Sequence, residues 1–239
     1  MPTAKRSTTR LRGMLILAVD TTTLHGSVAL LKGTRLLMEV NHDSPRTFSE
    51  RLLPTIHGIL KANSLRIQDV GGFAVAVGPG SFTGIRIGIS TIQSFAYASG
   101  KPVAPVSTLE ALAAKLCHPP HRFICPMLDA KKNEIFGALY EVAGRKLRES
   151  VPQGAYSPDA FLSQLPARRI IHFIGSGAQV YREKIIPYFK DRARFSRRSP
   201  FIAYEVGLIG YEILTGQRGK DFREIEPLYL RKSQAETDG

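Results

Sequence analysis

Apolar and polar positions change their period several times along the chain, and each change marks an element. Leu15 to Val19 is a continuous apolar run that stops at Asp20-Thr21-Thr22-Thr23. Ser27 to Leu31 and Leu36 to Val40 follow, separated by a Lys32-Gly33 turn. Short apolar runs bounded by turn residues predict a meander of three strands. Across residues 48–60, Leu52, Leu53, Ile56, Ile59 and Leu60 recur at helical spacing, with Ser44 or Thr47 as N-cap, which predicts an amphipathic helix. Gly72 to Val77 predicts a buried strand, and Ile85 to Ser99 a second helix. Between them lies the loop Gly78-Pro79-Gly80-Ser81-Phe82-Thr83-Gly84. In the second helix Gly84, Gly88, Thr91, Phe95 and Ala98 line up as a mostly small stripe suited to close helix contact.

A second unit begins near Lys101-Pro102-Val103-Ala104-Pro105-Val106, where two prolines and a short strand lead into a helix from Thr108 to Leu116. Arg122 to Leu128 and Glu134 to Val142 predict strands joined by the turn Asp129-Ala130-Lys131-Lys132-Asn133. Ile170 to Ile174 predicts another, ending in Gly175-Ser176-Gly177. Pro200 to Thr215 predicts a helix, and Pro227-Leu228-Tyr229-Leu230 precedes a polar tail. No repeat of short fixed period is visible. Alternating β and α material predicts an α/β fold, with a boundary near residues 100 to 107.

Composition narrows the class. With 239 residues, 43% of them hydrophobic and 22% charged, the chain has ordinary globular composition. No apolar run approaches the roughly 20 residues of a membrane-spanning helix, so a soluble protein is expected. Cys117 and Cys125 are too few for a disulfide framework and fit a reducing cytosol. Lys5, Arg6, Arg10 and Arg12 precede an apolar hexamer, a core shorter than the roughly 7 to 15 residues of a signal peptide. Residues 1–13 therefore read as a loose, disordered extension.

The net charge of +13 is local. Residues 1–13 hold four positive and no negative charges, and residues 145–200 hold twelve positive and four negative. Such a basic stretch attracts polyanions through phosphate contacts and counterion release, so RNA or an acidic partner surface is one reading; a solvated basic face is the other.

The candidate chemistry is sparse. The three glycines of residues 78–84 let amides point at an anion ahead of a helix, making Gly78, Gly80, Ser81, Thr83 and Gly84 a phosphate-loop candidate. Yet the spacing is neither a Walker loop nor the dinucleotide fingerprint, and a structural turn that packs the helix on the sheet fits equally. Asp20, at a strand end before a Thr-rich turn, is either a carboxylate near phosphate or a turn cap. Cys117, His118, His121 and Cys125 number enough ligands for zinc, but Cys125 lies in an apolar run that points it into a core. No metal site is expected. Nor does any Gly-x-Ser-x-Gly, His-Glu-x-x-His or Cys-x-x-Cys motif name a catalytic set.

Five segments in order carry a family likeness. They are residues 16–23 with Ser27-Val28-Ala29-Leu30, then Ser49-Glu50-Arg51-Leu52-Leu53-Pro54, then residues 78–86 with Gly88. Asp129-Ala130-Lys131-Lys132-Asn133-Glu134-Ile135-Phe136 and Pro227-Leu228-Tyr229-Leu230-Arg231 complete the set. Over residues 14 to about 232 the chain resembles the bacterial TsaB (YeaZ-like) family of tRNA threonylcarbamoyladenosine biosynthesis proteins, within the acetate kinase, sugar kinase, Hsp70 and actin (ASKHA) superfamily. The resemblance implies a two-lobed α/β fold with mixed sheets flanked by helices. The first lobe would take residues 14–106 plus about 201–232, the smaller basic lobe residues 107–200, and the polar tail residues 233–239. Relatives start at the first strand, so Met14 is the family-like initiator.

The same resemblance implies a cytoplasmic, non-catalytic partner of the paralogous subunit TsaD. With TsaE, TsaD transfers a threonylcarbamoyl group from threonylcarbamoyl-adenylate to an adenosine of ANN-decoding tRNAs. The metal-binding histidine pair of TsaD has no counterpart in Phe48-Ser49-Glu50-Arg51, and Phe48 replaces the His of many relatives. No cofactor is expected. The helix bearing Glu50, Leu52, Leu53 and Ile56, with the helix bearing Arg86 and Gly88, would form a face for TsaD, or for a second copy when TsaD is absent. The stretch from Arg145 to Arg198, with Arg194, Arg197 and Arg198 foremost, would dock tRNA. The rival reading is a small ASKHA-type ATPase or kinase holding nucleotide with Asp20 and the glycine loop. A peptidase would need a nucleophile and base pair that the sequence does not offer.

Overall fold

The computed structural model describes residues 13–43, 48–144 and 146–231. The expectations for the extension before residue 13, for the N-caps Ser44 and Thr47, for Arg145 and for the tail from 233 lie outside the described residues. Two compact units divide the chain: one runs to Thr108 and resumes over Phe201–Leu228, and the other takes Leu109–Pro200 and continues from Tyr229.

The first unit is a five-stranded sheet in the order β3-β2-β1-β4-β5. Its strands are β1 (Leu15–Asp20), β2 (His25–Lys32), β3 (Arg35–Asp43), β4 (Gly72–Gly78) and β5 (Val103–Ser107). β1, β2 and β3 form the expected antiparallel meander; β4 and β5 run parallel to β1 after helical crossovers. Alternation sorts the two faces. Leu17, Val19, Phe73, Val75 and Val77 join the core under helices α1 (Phe48–Ala62) and α2 (Phe82–Ser99). On the other face Ala29, Ala18, Ala74 and Ala104 align in register across four strands. Helix α7 (Ala203–Thr215) lies on this alanine row, and a Cβ on its Gly207 or Gly210 would come within 2.4 Å of Leu31 or Ala74. Helix α2 begins three residues before the expected Ile85 because Ser81 caps it. Its buried stripe is Gly84, Ile85, Gly88, Ile89, Ile92 and Ala96, so Ala98 of the expected stripe is turned to solvent.

The second unit holds a five-stranded sheet in the order β10-β9-β6-β7-β8. These are β6 (Phe123–Lys131), β7 (Glu134–Ala143), β8 (Lys146–Tyr156), β9 (Ile171–Ile174) and β10 (Ala193–Phe195). β6, β7 and β8 are antiparallel, and β9 and β10 run parallel to β6. Short helix α3 (Thr108–Ala114) leads into this unit; α4 (Pro158–Leu162), α5 (Ser176–Val180) and α6 (Arg182–Phe189) supply helical cover. Phe161, Phe173 and Phe189 fill the core with Cys125 and Met127. The returning segment expected to stay with the first lobe to about 232 parts from it after Leu228. Arg231 Nη1 there donates to Ala130 O at 3.2 Å and to Glu134 Oε2 at 2.9 Å, which ties that stretch to the β6–β7 hairpin. The expected α/β class with two mixed sheets flanked by helices is the one observed.

Candidate functional site

The turn after β1 and the glycine loop after β4 come together in the first unit. Asp20 is buried, and its Oδ1 accepts from the Thr22 backbone N–H at 2.9 Å and the Thr22 hydroxyl at 2.6 Å. The Thr22 hydroxyl accepts in turn from Thr108 Oγ1 at 3.1 Å. A buried carboxylate is stabilised by such donors, and here they cap its own turn. The loop closes on the same residues: Ser81 N–H donates to Thr22 O at 2.7 Å, and Thr21 Oγ1 donates to Gly84 O at 2.7 Å.

Glycine is required by this closure. A Cβ at Gly80 would stand 2.1 Å from Thr22 O, and one at Gly84 would stand 2.0 Å from Thr21 O. Gly78 approaches the Leu228 carbonyl in the same way. Two amides that could have cradled a phosphate, those of Ser81 and Gly84, are thus engaged by Thr22 O and Ser81 Oγ. Thr83 is exposed.

The predicted partner face divides. Leu52 and Ile56 are buried on the core side of α1, and Gly88 is buried against Thr21, so these three offer almost no open surface to a partner. The helical spacing that predicted α1 does not say which flank of its apolar stripe stays outside. Glu50 and Arg86 are exposed, and Leu53 is 54% exposed. Sequence reasoning missed Tyr97, 73% exposed on α2, and a cavity of about 550 Å³ whose lining includes Leu53, Ile56, Leu60, Leu65, Ile67 and Phe95, with His57, Lys61 and Arg66. Tyr97 meets the ring of Phe222 and does not line that cavity; helical spacing marked the period of each stripe but not which flank stays open. Phe48 lies against Gly26, where an added Cβ would stand 2.1 Å from its ring. The Phe48 ring is therefore a packing element on β2.

In the second unit Cys125 is fully buried, and burial pushes its thiol well up. His118, His121 and His172 stack edge to face, with ring centroids 4.6 and 4.0 Å apart. His121 Nδ1 lies 3.1 Å from Leu116 O, so that nitrogen carries the proton. Burial, then His121, Arg194 and His118, lower His172 to about 4, so it is neutral at pH 7. Among the described residues no three His, Cys, Asp or Glu side chains are placed to hold a metal ion. Arg194, Arg197 and Arg198 are all exposed. Among the described residues no helix is long and apolar enough to cross a membrane.

Known proteins resemble the chain along most of its length. Residues 40–206 match the family described as TsaD: tRNA N6-adenosine threonylcarbamoyltransferase. The tRNA threonylcarbamoyladenosine biosynthesis protein TsaB of Bacillus subtilis is 28% identical over 93% of this chain and 96% of its own. Its Haemophilus influenzae counterpart is 30% identical over 92% and 95%. The crystal structure of YeaZ from Pseudomonas aeruginosa superposes with a TM-score of 0.78 at 27% identity, covering 91% of this chain and all of that one.

Proposed function

We propose a role that proceeds from one premise: the chain belongs to the TsaB family of tRNA threonylcarbamoyladenosine biosynthesis proteins. It acts in the cytoplasm as a non-catalytic subunit that holds TsaD, together with TsaE, in the complex that modifies an adenosine of ANN-decoding tRNAs. The observation that carries this reading is the pairing of an open apolar groove along α1 and α2 with a glycine loop two of whose amides, those of Ser81 and Gly84, bond within the chain. Leu53 in solvent beside that cavity suits a helical partner, and a second copy would use the same face in the absence of TsaD. Arg86 and Glu50 fit the polar rim of that interface.

The role is tested by co-purification. Leu53→Arg should abolish capture of TsaD while leaving the free energy of urea unfolding within about 0.5 kcal/mol of the parent, as expected for an exposed site. Retained capture by a folded L53R protein removes this face from the interface. Calorimetry with ATP and magnesium on the isolated chain tests the non-catalytic half: tight binding followed by turnover would make it an enzyme. For tRNA, the exposed Arg194, Arg197 and Arg198 are the contacts expected to act through the complex.

A further inference from the structure

Nearly half of the chain's excess charge of +13 collects at one edge of the second sheet. Residues 166–172 and 190–200 hold seven Lys or Arg and a single acid, Asp191. β10 is the edge strand, parallel to β9, so the turn before β9 and the residues before β10 sit at the same end. Arg192 confirms that placement, since its Nε donates to Ala167 O at 2.9 Å, beside Arg168 and Arg169. Arg194 stands in register with His172, and its guanidinium donates to the Asp191 carbonyl. Ala193 and Phe195 pack on the core, while Arg194 takes the alternate position on β10 and Arg192 ends the helical turn just before the strand.

None of Arg168, Arg169, Arg192, Arg194, Arg197 or Arg198 makes an ion pair among the described residues. Uncompensated like charges at such spacing cost free energy unless an anion meets them. Arginine's planar fork matches phosphate. A protein partner would want an aromatic or aliphatic centre, and the patch offers Ile170 as its single large exposed apolar side chain.

We infer that the β9–β10 edge, with Arg168, Arg169, Arg192 and Arg194, is a phosphate track that binds the RNA backbone of the substrate tRNA directly and without reading bases. Relative to the sequence expectation, the centre of contact moves from Arg197 and Arg198 to the opposite end of β10. The inference rests on the subunit role proposed above.

Fluorescence anisotropy of labelled unmodified tRNA with the full chain, from 50 to 200 mM KCl, tests it. The parent should weaken at least tenfold across that range. R169E/R194E should bind at least tenfold more weakly at 100 mM and flatten the salt slope by about 1 to 2. K146E/R148E makes the same charge change on β8, at the far edge of the sheet, and should shift affinity less than threefold. Equal loss in both variants, no loss in R169E/R194E, or displacement of RNA by poly-glutamate at equal charge would overturn the track. R169Q/R194Q, checked by circular dichroism, replaces the reversal variant should that misfold. Threonylcarbamoyladenosine formation by the chain with TsaD and TsaE is measured in parallel. A chain that makes no difference there removes the subunit role, whereas anisotropy alone decides the track.

Discussion

The two units share one strand order, three antiparallel strands followed by two parallel ones, yet they cover their sheets differently. In the first, helices of 15, 18 and 13 residues leave every residue of central β4 and three of the five in edge strand β5 buried, though edge strand β3 buries none. In the second, after α3, the helices run 5, 5 and 8 residues, β8 buries only Val151 among its eleven, and β10 buries none of its three. Both use a glycine turn after the fourth strand to rest on the end of the first. Gly80 and Gly84 press on Thr22 and Thr21; Gly175 and Gly177 press on Met127 and Leu128, and Asp129 N–H donates to Ser176 Oγ at 3.1 Å. One topology thus presents an apolar helical face from one unit and a cationic sheet edge from the other. The difference follows from how much helix covers each sheet, because uncovered strands must carry polar side chains outward.

The largest effect should separate the units by what their glycines touch. Gly84→Ala drives a Cβ to 2.0 Å from the Thr21 carbonyl, which is backbone, whereas Gly137→Ala meets Phe161 Cζ at 2.9 Å, a smaller overlap and with the far end of a side chain. Urea unfolding should show a loss of about 3 kcal/mol or more for the first and about 1 to 2 kcal/mol for the second. Equal losses would mean the two units tolerate overpacking alike. Next, Thr22→Val breaks the buried chain from Thr108 through Thr22 to Asp20 and should cost about 2 kcal/mol. Ser176→Ala, at the matching but exposed turn, should cost under about 1 kcal/mol.

Acid should weaken the second unit through His172. Burial, His121, Arg194 and His118 hold it at about 4, below its ordinary 6.5, so the fold binds the neutral ring. That contribution is complete above pH 6.5 and is lost as pH falls towards 4, amounting to about 1 kcal/mol after allowance for a half-exposed ring. His172→Gln should remove that part of the difference between urea midpoints at pH 7.5 and pH 5; an unchanged difference would assign the acid sensitivity elsewhere. The smallest effect is Arg231→Ala, about 0.5 kcal/mol by thermal unfolding, because its pair with Glu134 is partly solvated.

Much of the first unit was legible in the sequence. Its apolar runs are long, its helix period is clean, and its turns carry Gly, Asp and Thr, so local pattern and tertiary role agree. The second unit hid more. β8 reads Lys146-Leu147-Arg148-Glu149-Ser150-Val151-Pro152 and looks like loop, because an edge strand keeps most of its side chains in water. β10 is three residues long, below what periodicity can register, and it exists because β9 offers it a ladder. For the partner face, Leu52, Leu53 and Ile56 were equivalent in the pattern, and only packing distinguished them.

Local chemistry written in the chain was enough to set the α/β class, the order of most elements, the family likeness and the concentration of positive charge late in the chain. Tertiary structure decided the orientation of each side chain. It turned Leu53 out and Leu52 in, closed the glycine loop on Thr21 and Thr22 some sixty residues earlier, and gathered Arg168, Arg169, Arg192 and Arg194 at one sheet edge. Burial and hydrogen-bond satisfaction depend on neighbours far away in sequence, and the local period of a segment carries no record of which neighbours those are.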